Sequence, residues 1–292
     1  MNIRDLEYFI KLADIKNFSK VADAFGVSQP TITMALQRLE KSFGTVLMIR
    51  HRAHGDLSLT DSGDQLLVHA KTMVQEYRIA QRELTERQQS RLSMGLPPII
   101  ENTYFPLIAK RLKRVELLDK LYTLEEGSMT TLQAIQAGNI DVALLATIQS
   151  INDDKLVVEP FDQQPFAIYV SKKHPLAQRS GVRFSDLKGE AFVLFKRGFV
   201  HNQAFNQLAR QNHFRPKVAF RSNGIQSLLN LIKDGIGIGF LAITTPLDED
   251  VVRVPLLDEP QPQFTTSLVY RRSHVFNPLQ QRMLSLIRAS LQ

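Results

Sequence analysis

The 292-residue chain contains no cysteine, which removes disulfides, iron–sulfur ligation and any thiol switch in one step. It also lacks an apolar run of the ~20 residues needed to span a bilayer, and no charged region leading into an apolar stretch resembles an export signal. A cytoplasmic location is expected. The sequence holds no G-x-S-x-G elbow, phosphate loop, H-E-x-x-H pair or cysteine nucleophile, so catalysis and a bound cofactor are not expected. Gly235-Ile236-Gly237-Ile238-Gly239 ends a helix and enters a strand rather than preceding a helix. It is assigned to packing, not to a dinucleotide. His51 and His54 have a spacing that a metal could use, but no carboxylate or thiol cluster accompanies them, and no metal is expected.

A surplus of one charge sign is also missing where nucleic-acid binding would want it. The formal charge is +7, yet residues 1–90 hold 12 Lys and Arg against 11 Asp and Glu, leaving 24 against 18 beyond. The excess at the back fits either an anionic ligand or surface solubility. With 43% hydrophobic residues the chain can build a small domain plus one or two larger ones.

What the chain does have is a pair of short helices in residues 18–44. Ser19 is a candidate N-cap, Val21, Ala22 and Phe25 share one apolar stripe, and Gly26 suits a left-handed helix terminus. Ser28 can cap a second helix, with Pro30 tolerated in its first turn. Ile32, Ala35, Leu36, Leu39 and Phe43 repeat at helical spacing as its buried face. The opposite face, with Gln29, Thr31, Thr33, Gln37 and Arg38, is short and polar and can approach base edges and phosphates in a major groove. Alone, the pattern equally fits a plain helical hairpin with a solvated face. Residues 47–50 and 56–59 then read as two short strands around a basic tip, a wing whose arginines suit the minor groove or adjacent phosphates.

Asp5-Leu6-Glu7-Tyr8-Phe9, the run from Ala22 to Thr33, Gln37-Arg38-Leu39-Glu40, Phe43-Gly44 and Leu59-Thr60-Asp61-Ser62-Gly63 together resemble the N-terminal signature of LysR-type transcriptional regulators. The resemblance implies an α+β multidomain protein: a winged helix-turn-helix with a long linker helix, then a periplasmic-binding-protein-like α/β effector domain of two subdomains. It implies DNA contacts from Ser28, Gln29, Pro30, Thr31, Thr33 and Met34, and from Arg50 and Arg52 near the wing. Met34 departs from the family, standing where many members carry arginine or another polar residue. For a cysteine-free member, the resemblance excludes peroxide sensing by cysteine oxidation. Residues 28–35, SQPTITMA, with Arg52, His54 and Leu57, further resemble the malolactic-fermentation regulators, a subgroup that responds to malate.

From Asp61 to Gln89 there is no proline, and the only glycine is Gly63. Leu66, Leu67, Ala70, Met73, Val74, Tyr77, Ala80 and Leu84 form one stripe at helical spacing. Such a helix packs on its own chain or pairs with a second copy, and the resemblance favours pairing, as a dimer or tetramer.

Past a hinge at 88–90, strands at 91–95, 121–124 and 140–146 alternate with helices at 103–114 and 128–137. A second set follows, with strands at 192–195, 218–221 and 236–241 and helices at 200–211 and 225–233; strands at 251–255 and 266–270 and a helix at 278–291 close the chain. Alternation argues a parallel sheet covered on both faces. The expected division is residues 1–60 for the winged helix-turn-helix, 61–89 for the linker helix and 90–292 for the effector domain, with subdomain I at 91–161 and 266–292 and subdomain II at 162–265. Strand-to-helix junctions at Pro97, Pro98, Ile99 and Ile100, at Gly127, Ser128 and Met129, and at Asn223, Gly224 and Ile225 offer free helix amides. Phe195 and Lys196 end a further strand, and Lys196 with Arg197 can complete a site for a small anion such as an organic acid. The alternative function is a solute-binding or sensor protein without a transcriptional role.

Overall fold

Asn2 opens the first helix with a reciprocal cap, its Oδ1 accepting from the Asp5 amide at 2.8 Å while Asp5 Oδ2 accepts from the Asn2 amide at 3.1 Å. The computed structural model describes residues 1–50, 57–89 and 91–291, in two compact units, Met1–Thr85 and Glu86–Gln292.

The first unit contains α1 (Ile3–Ile15), α2 (Phe18–Phe25), α3 (Gln29–Phe43), β1 (Met48–Arg50), β2 (Leu57–Leu59) and most of α4 (Asp61–Gln89). α2 begins one residue before the expected start, because Asn17, not Ser19, accepts the Lys20 amide. Ser28 does occupy the N-cap of α3, but without a side-chain bond to the helix amides. Ile32, Ala35, Leu36 and Leu39 close on Leu6, Phe9, Leu12 and Val21 to form the core, and Leu47, Leu57, Leu66, Ala70 and Val74 extend it. Phe43 is 43% exposed, since it sits in the last turn beyond the reach of that core. β1 and β2 pair antiparallel with Met48 opposite Leu59.

Thr60 joins the wing to α4: its hydroxyl donates to the Val46 carbonyl at 2.7 Å and accepts from the Gly63 amide at 3.0 Å. A Cβ on Gly63 would lie 2.0 Å from the Leu47 carbonyl oxygen. The Leu59-Thr60-Asp61-Ser62-Gly63 motif therefore encodes a close crossing of two backbones.

The second unit contains β3 (Leu92–Gly95), α5 (Pro98–Arg114), β4 (Leu121–Leu124), α6 (Ser128–Gln136), β5 (Val142–Thr147), β6 (Leu156–Ser171), β7 (Ala191–Phe195), α7 (Val200–Gln211), β8 (Lys217–Ser222), α8 (Ile225–Lys233), β9 (Ile238–Ala242), β10 (Val251–Pro255), β11 (Gln263–Arg271) and α9 (Pro278–Ser290). The sheet order is β4-β3-β5-β11-β6-β9-β7-β8, with β10 on β6. β3 pairs parallel with β4 and β5, and β7 with β8 and β9. The sheet is mixed rather than all parallel, because β11 and β6 run antiparallel to their neighbours.

β6, which pattern reading did not find, pairs first with β11 and then with β9 and β10, so it leaves one lobe and enters the other. The first lobe is built on β3, β4 and β5 with α5, α6 and α9. The second, on β7 to β10 with α7 and α8, packs around Phe166, Phe184, Phe192, Phe205 and Phe240, with Phe166 and Phe240 stacked at 4.8 Å. α5 begins at Pro98, five residues before the expected start, since proline at the first helical position needs no amide partner. The glycine run at 235–239 is a packing feature: a Cβ on Gly239 would meet Ile232 Cδ1 at 2.4 Å.

Candidate functional site: DNA interface and ligand cleft

The polar face of α3 lies outward. Ser28, Gln29, Pro30, Met34, Gln37 and Arg38 are exposed and Thr31 and Thr33 half-buried. Ser28 Oγ and Thr31 Oγ1 stand 2.9 Å apart, and Thr33 Oγ1 donates to the Gln29 carbonyl at 3.3 Å. These bonds draw the hydroxyls in along the helix and keep its profile low. Met34, 56% exposed, is the apolar projection on that face. Arg50 ends β1 opposite Leu57. Arg52, like His51 and His54, lies outside the described residues.

Arg38 has a structural partner that its sequence position does not reveal. Its Nη2 donates to Asp5 Oδ1 at 2.5 Å and its Nε to Oδ2 at 3.2 Å, tying α3 to α1. Burial pushes the Asp5 carboxyl up, but the bonds from Arg38 and the Asn2 amide outweigh it and leave its pKa below the usual carboxylate value. The Arg38 side chain remains 43% exposed, so the guanidinium is oriented by Asp5 and still faces solvent. Glu40 Oε1 accepts from the Leu47 amide at 2.9 Å, fixing the approach to the wing from the same helix.

In the second unit, one cavity of about 250 Å³ is lined by Pro98, Gly127, Phe199 and Gly224. These residues stand at the N-termini of α5, α6, α7 and α8, and none of the four helices has a side-chain cap bond. By contrast, α1, α2 and α9 are capped by asparagines. Amides in the first turns of the four helices are therefore left for a bound group, with the positive ends of four helix dipoles behind them.

Of the expected ligand residues, the cavity brings together Pro98, Gly127, Asn223 and Gly224. Ile99, Ile100, Phe195 and Ile225 turn into the core, and Pro97 is buried at the cap of α5. Ser128 is 5% exposed, and its Oγ accepts from the Ala146 amide at 3.1 Å. Met129 lines a separate, wider cleft of about 900 Å³ with Gln149, Gln207 and Arg210, and its Sδ accepts from Gln203 Nε2 at 3.3 Å. Lys196 does not line the cavity; its amide donates to the Ser222 carbonyl at 3.0 Å. The inward-facing departures, Ile99, Ile100, Ser128, Phe195 and Ile225, share a cause: at a strand-to-helix turn, alternate side chains must face inward to hold the helix on the sheet, whereas Met129 and Lys196 are exposed away from the cavity.

Glu125, Glu126, Thr130 and Arg197 also line the cavity. Arg197 is presented by a braced loop: Arg221 Nη1 donates to the Phe195 carbonyl and to Asn202 Oδ1, both at 2.9 Å, while Asn202 Nδ2 donates to the Lys196 carbonyl at 2.5 Å. The two lobes touch here, since a Cβ on Gly127 would lie 2.9 Å from the Gly198 carbonyl oxygen. The acidic pair Glu125-Glu126 directly before a glycine cap was the signal available in sequence.

Among the described residues no helix is long and apolar enough to cross a membrane. Two family descriptions match the chain, "Bacterial regulatory helix-turn-helix protein, lysR family" over residues 3–64 and "LysR substrate binding domain" over residues 85–292. The chain is 28% identical over 291 residues to the malolactic fermentation system transcriptional activator of Lactococcus lactis, covering 99% of this chain and 98% of that protein. Its fold resembles a full-length OxyR variant from Pseudomonas aeruginosa, with a TM-score of 0.57 at 20% identity and complete coverage of both chains. It also resembles full-length CbnR in complex with its target DNA, with a TM-score of 0.54 at 19% identity and complete coverage of both.

Proposed function

The chain belongs to the LysR family of transcriptional regulators, which are non-enzymatic, bind operator DNA and small-molecule effectors, and oligomerise; from that premise we propose how this member's own residues divide the work. The α3 face of Gln29, Thr31, Thr33, Met34 and Gln37 enters the major groove, with Ser28 and Pro30 at its tip. Arg38, steadied by Asp5, and Arg50 and Arg52 of the wing hold phosphates or the minor groove. Two α4 helices pair and two such dimers associate into a tetramer, acting in the cytoplasm. The effector carries a carboxylate and sits among the helix N-termini, and organic acids such as malate, toward which the Lactococcus relative's name points, belong in the first screen.

The observation that carries this reading is the convergence of four uncapped helix N-termini on one cavity, a cradle for an anionic group. Effector binding must favour one arrangement of the assembly over another, and a coupling of about 1–3 kcal/mol changes DNA affinity or bending severalfold. Selection from a random duplex library is expected to yield a preferred site bound in a salt-sensitive way, and Met34→Arg to change its sequence while leaving the melting temperature nearly unaltered. DNA binding without sequence preference would refute the assignment of α3. A bend angle unchanged at saturating effector would refute the coupling.

A further inference from the structure

Helix amides and Arg197 explain an anion, but they do not explain the rest of the cavity wall. We propose that the effector is a zwitterion, an α-amino acid or close amine-bearing analogue, with its carboxylate at the helix N-termini and Arg197 and its ammonium against Glu125 and Glu126. This rests on the reading of that cavity as the effector site.

Three observations support it. Glu125 and Glu126 line the same 250 Å³ cavity as Arg197, so the wall carries two negative side chains and one positive one. Neither carboxylate makes an ion pair among the described residues, which leaves their charge for a ligand to neutralise. Glu101, in the first turn of α5, has its pKa raised first by burial and then by the negative charge of Glu125, so the field of the Glu125 carboxylate reaches the N-terminus of α5. A dicarboxylate would place its second charge into that field. An ammonium relieves it, and charge-assisted bonds from N–H donors to carboxylates are among the stronger ones available. The volume is that of about eight liquid waters, which suits a small amino acid.

The test uses pairs that differ only in the group at the α-carbon: alanine and lactate, aspartate and malate, glutamate and 2-hydroxyglutarate, leucine and 2-hydroxyisocaproate. Calorimetric titration of the full chain with each is expected to show the amino member of at least one pair binding about tenfold or more tighter than its hydroxy partner. Glu125→Gln with Glu126→Gln removes that preference, lowering the amino acid's affinity about tenfold and leaving or improving the hydroxy acid's. Arg197→Gln weakens both members. All three positions are exposed, and an unchanged melting temperature of the free variants confirms folding. Tighter binding of the hydroxy acids, malate included, overturns the zwitterion and leaves the carboxylate cradle standing. If no member of any pair binds, or if binding ignores all of these substitutions, the reading of the cavity itself fails.

Discussion

His201 is 4% exposed, lies against the rings of Phe166, Phe195 and Phe264, and leaves Nε2 without a hydrogen-bond partner among the described residues. Burial alone pushes its pKa down from 6.5 to about 3. The unfolded chain therefore binds a proton that the folded chain refuses, so stability is fully present above pH 6.5 and falls with pH down to about 3. The slope contributed is at most about 1.4 kcal/mol per pH unit. Asp5 and Glu159, whose pKa values are depressed by their arginine partners despite burial, lose their contributions only below the ordinary values of 3.8 and 4.5. Between 6.5 and 4.5 the histidine is opposed by Glu101, whose pKa is raised above 4.5 by burial and by Glu125, so the difference between the native chain and a His201 variant isolates the imidazole. His201→Phe is expected to flatten the pH dependence of denaturant unfolding there; equal slopes for the two proteins would show that the imidazole is not protonated on unfolding.

At the scale of elements, α4 divides the single stripe of the sequence into two. Leu66, Ala70 and Val74 are buried in the core of the first unit, whereas Met73, Tyr77 and Leu84 are 42%, 44% and 65% exposed. Met73, Tyr77, Ala80 and Leu84 follow spacings of four, three and four, the seam of a helix pair. Apolar side chains on such a seam need a partner, and a second α4 supplies an identical one. Tyr77→Asp with Leu84→Asp should shift sedimentation toward monomers without loss of far-ultraviolet helical signal. An undisturbed oligomer would place the pairing surface elsewhere. The wing and α4 meet only because residue 63 has no side chain, so the same short motif sets both where the wing ends and where the helix begins.

For the whole molecule, the second unit responds as two lobes joined through β6 and β11. Their contact at Gly127 and Gly198 leaves no room for a methyl group, and what would meet it is backbone, which cannot step aside as a flexible side chain does. Gly127 has an ordinary φ of −64°, so Gly127→Ala tests space rather than backbone conformation. The added carbon is expected to part the lobes slightly, to lower stability by about 1–3 kcal/mol and to weaken binding of cleft ligands in calorimetry, with operator affinity in the absence of ligand preserved. Unaltered ligand binding would mean that the lobes already sample a wider opening.

The sequence alone determined the helices, the turn at Gly26, the polar face of α3, the long α4 and the alternation of strands with helices. These follow from periodicity, caps and glycine positions, and each depends on neighbours within a turn or two along the chain. The same local logic marked Pro98, Gly127, Asn223 and Gly224. Only the tertiary structure decided that β6 is one continuous strand, because Pro160 and Pro165 interrupt its pattern while Ser267 and Gln263 stand opposite them on β11. It also decided that Arg38 serves Asp5 across 33 residues, and that Glu125 and Glu126 share a wall with Arg197. Such pairings are absent from local pattern because they depend on where the sheet brings distant loops together.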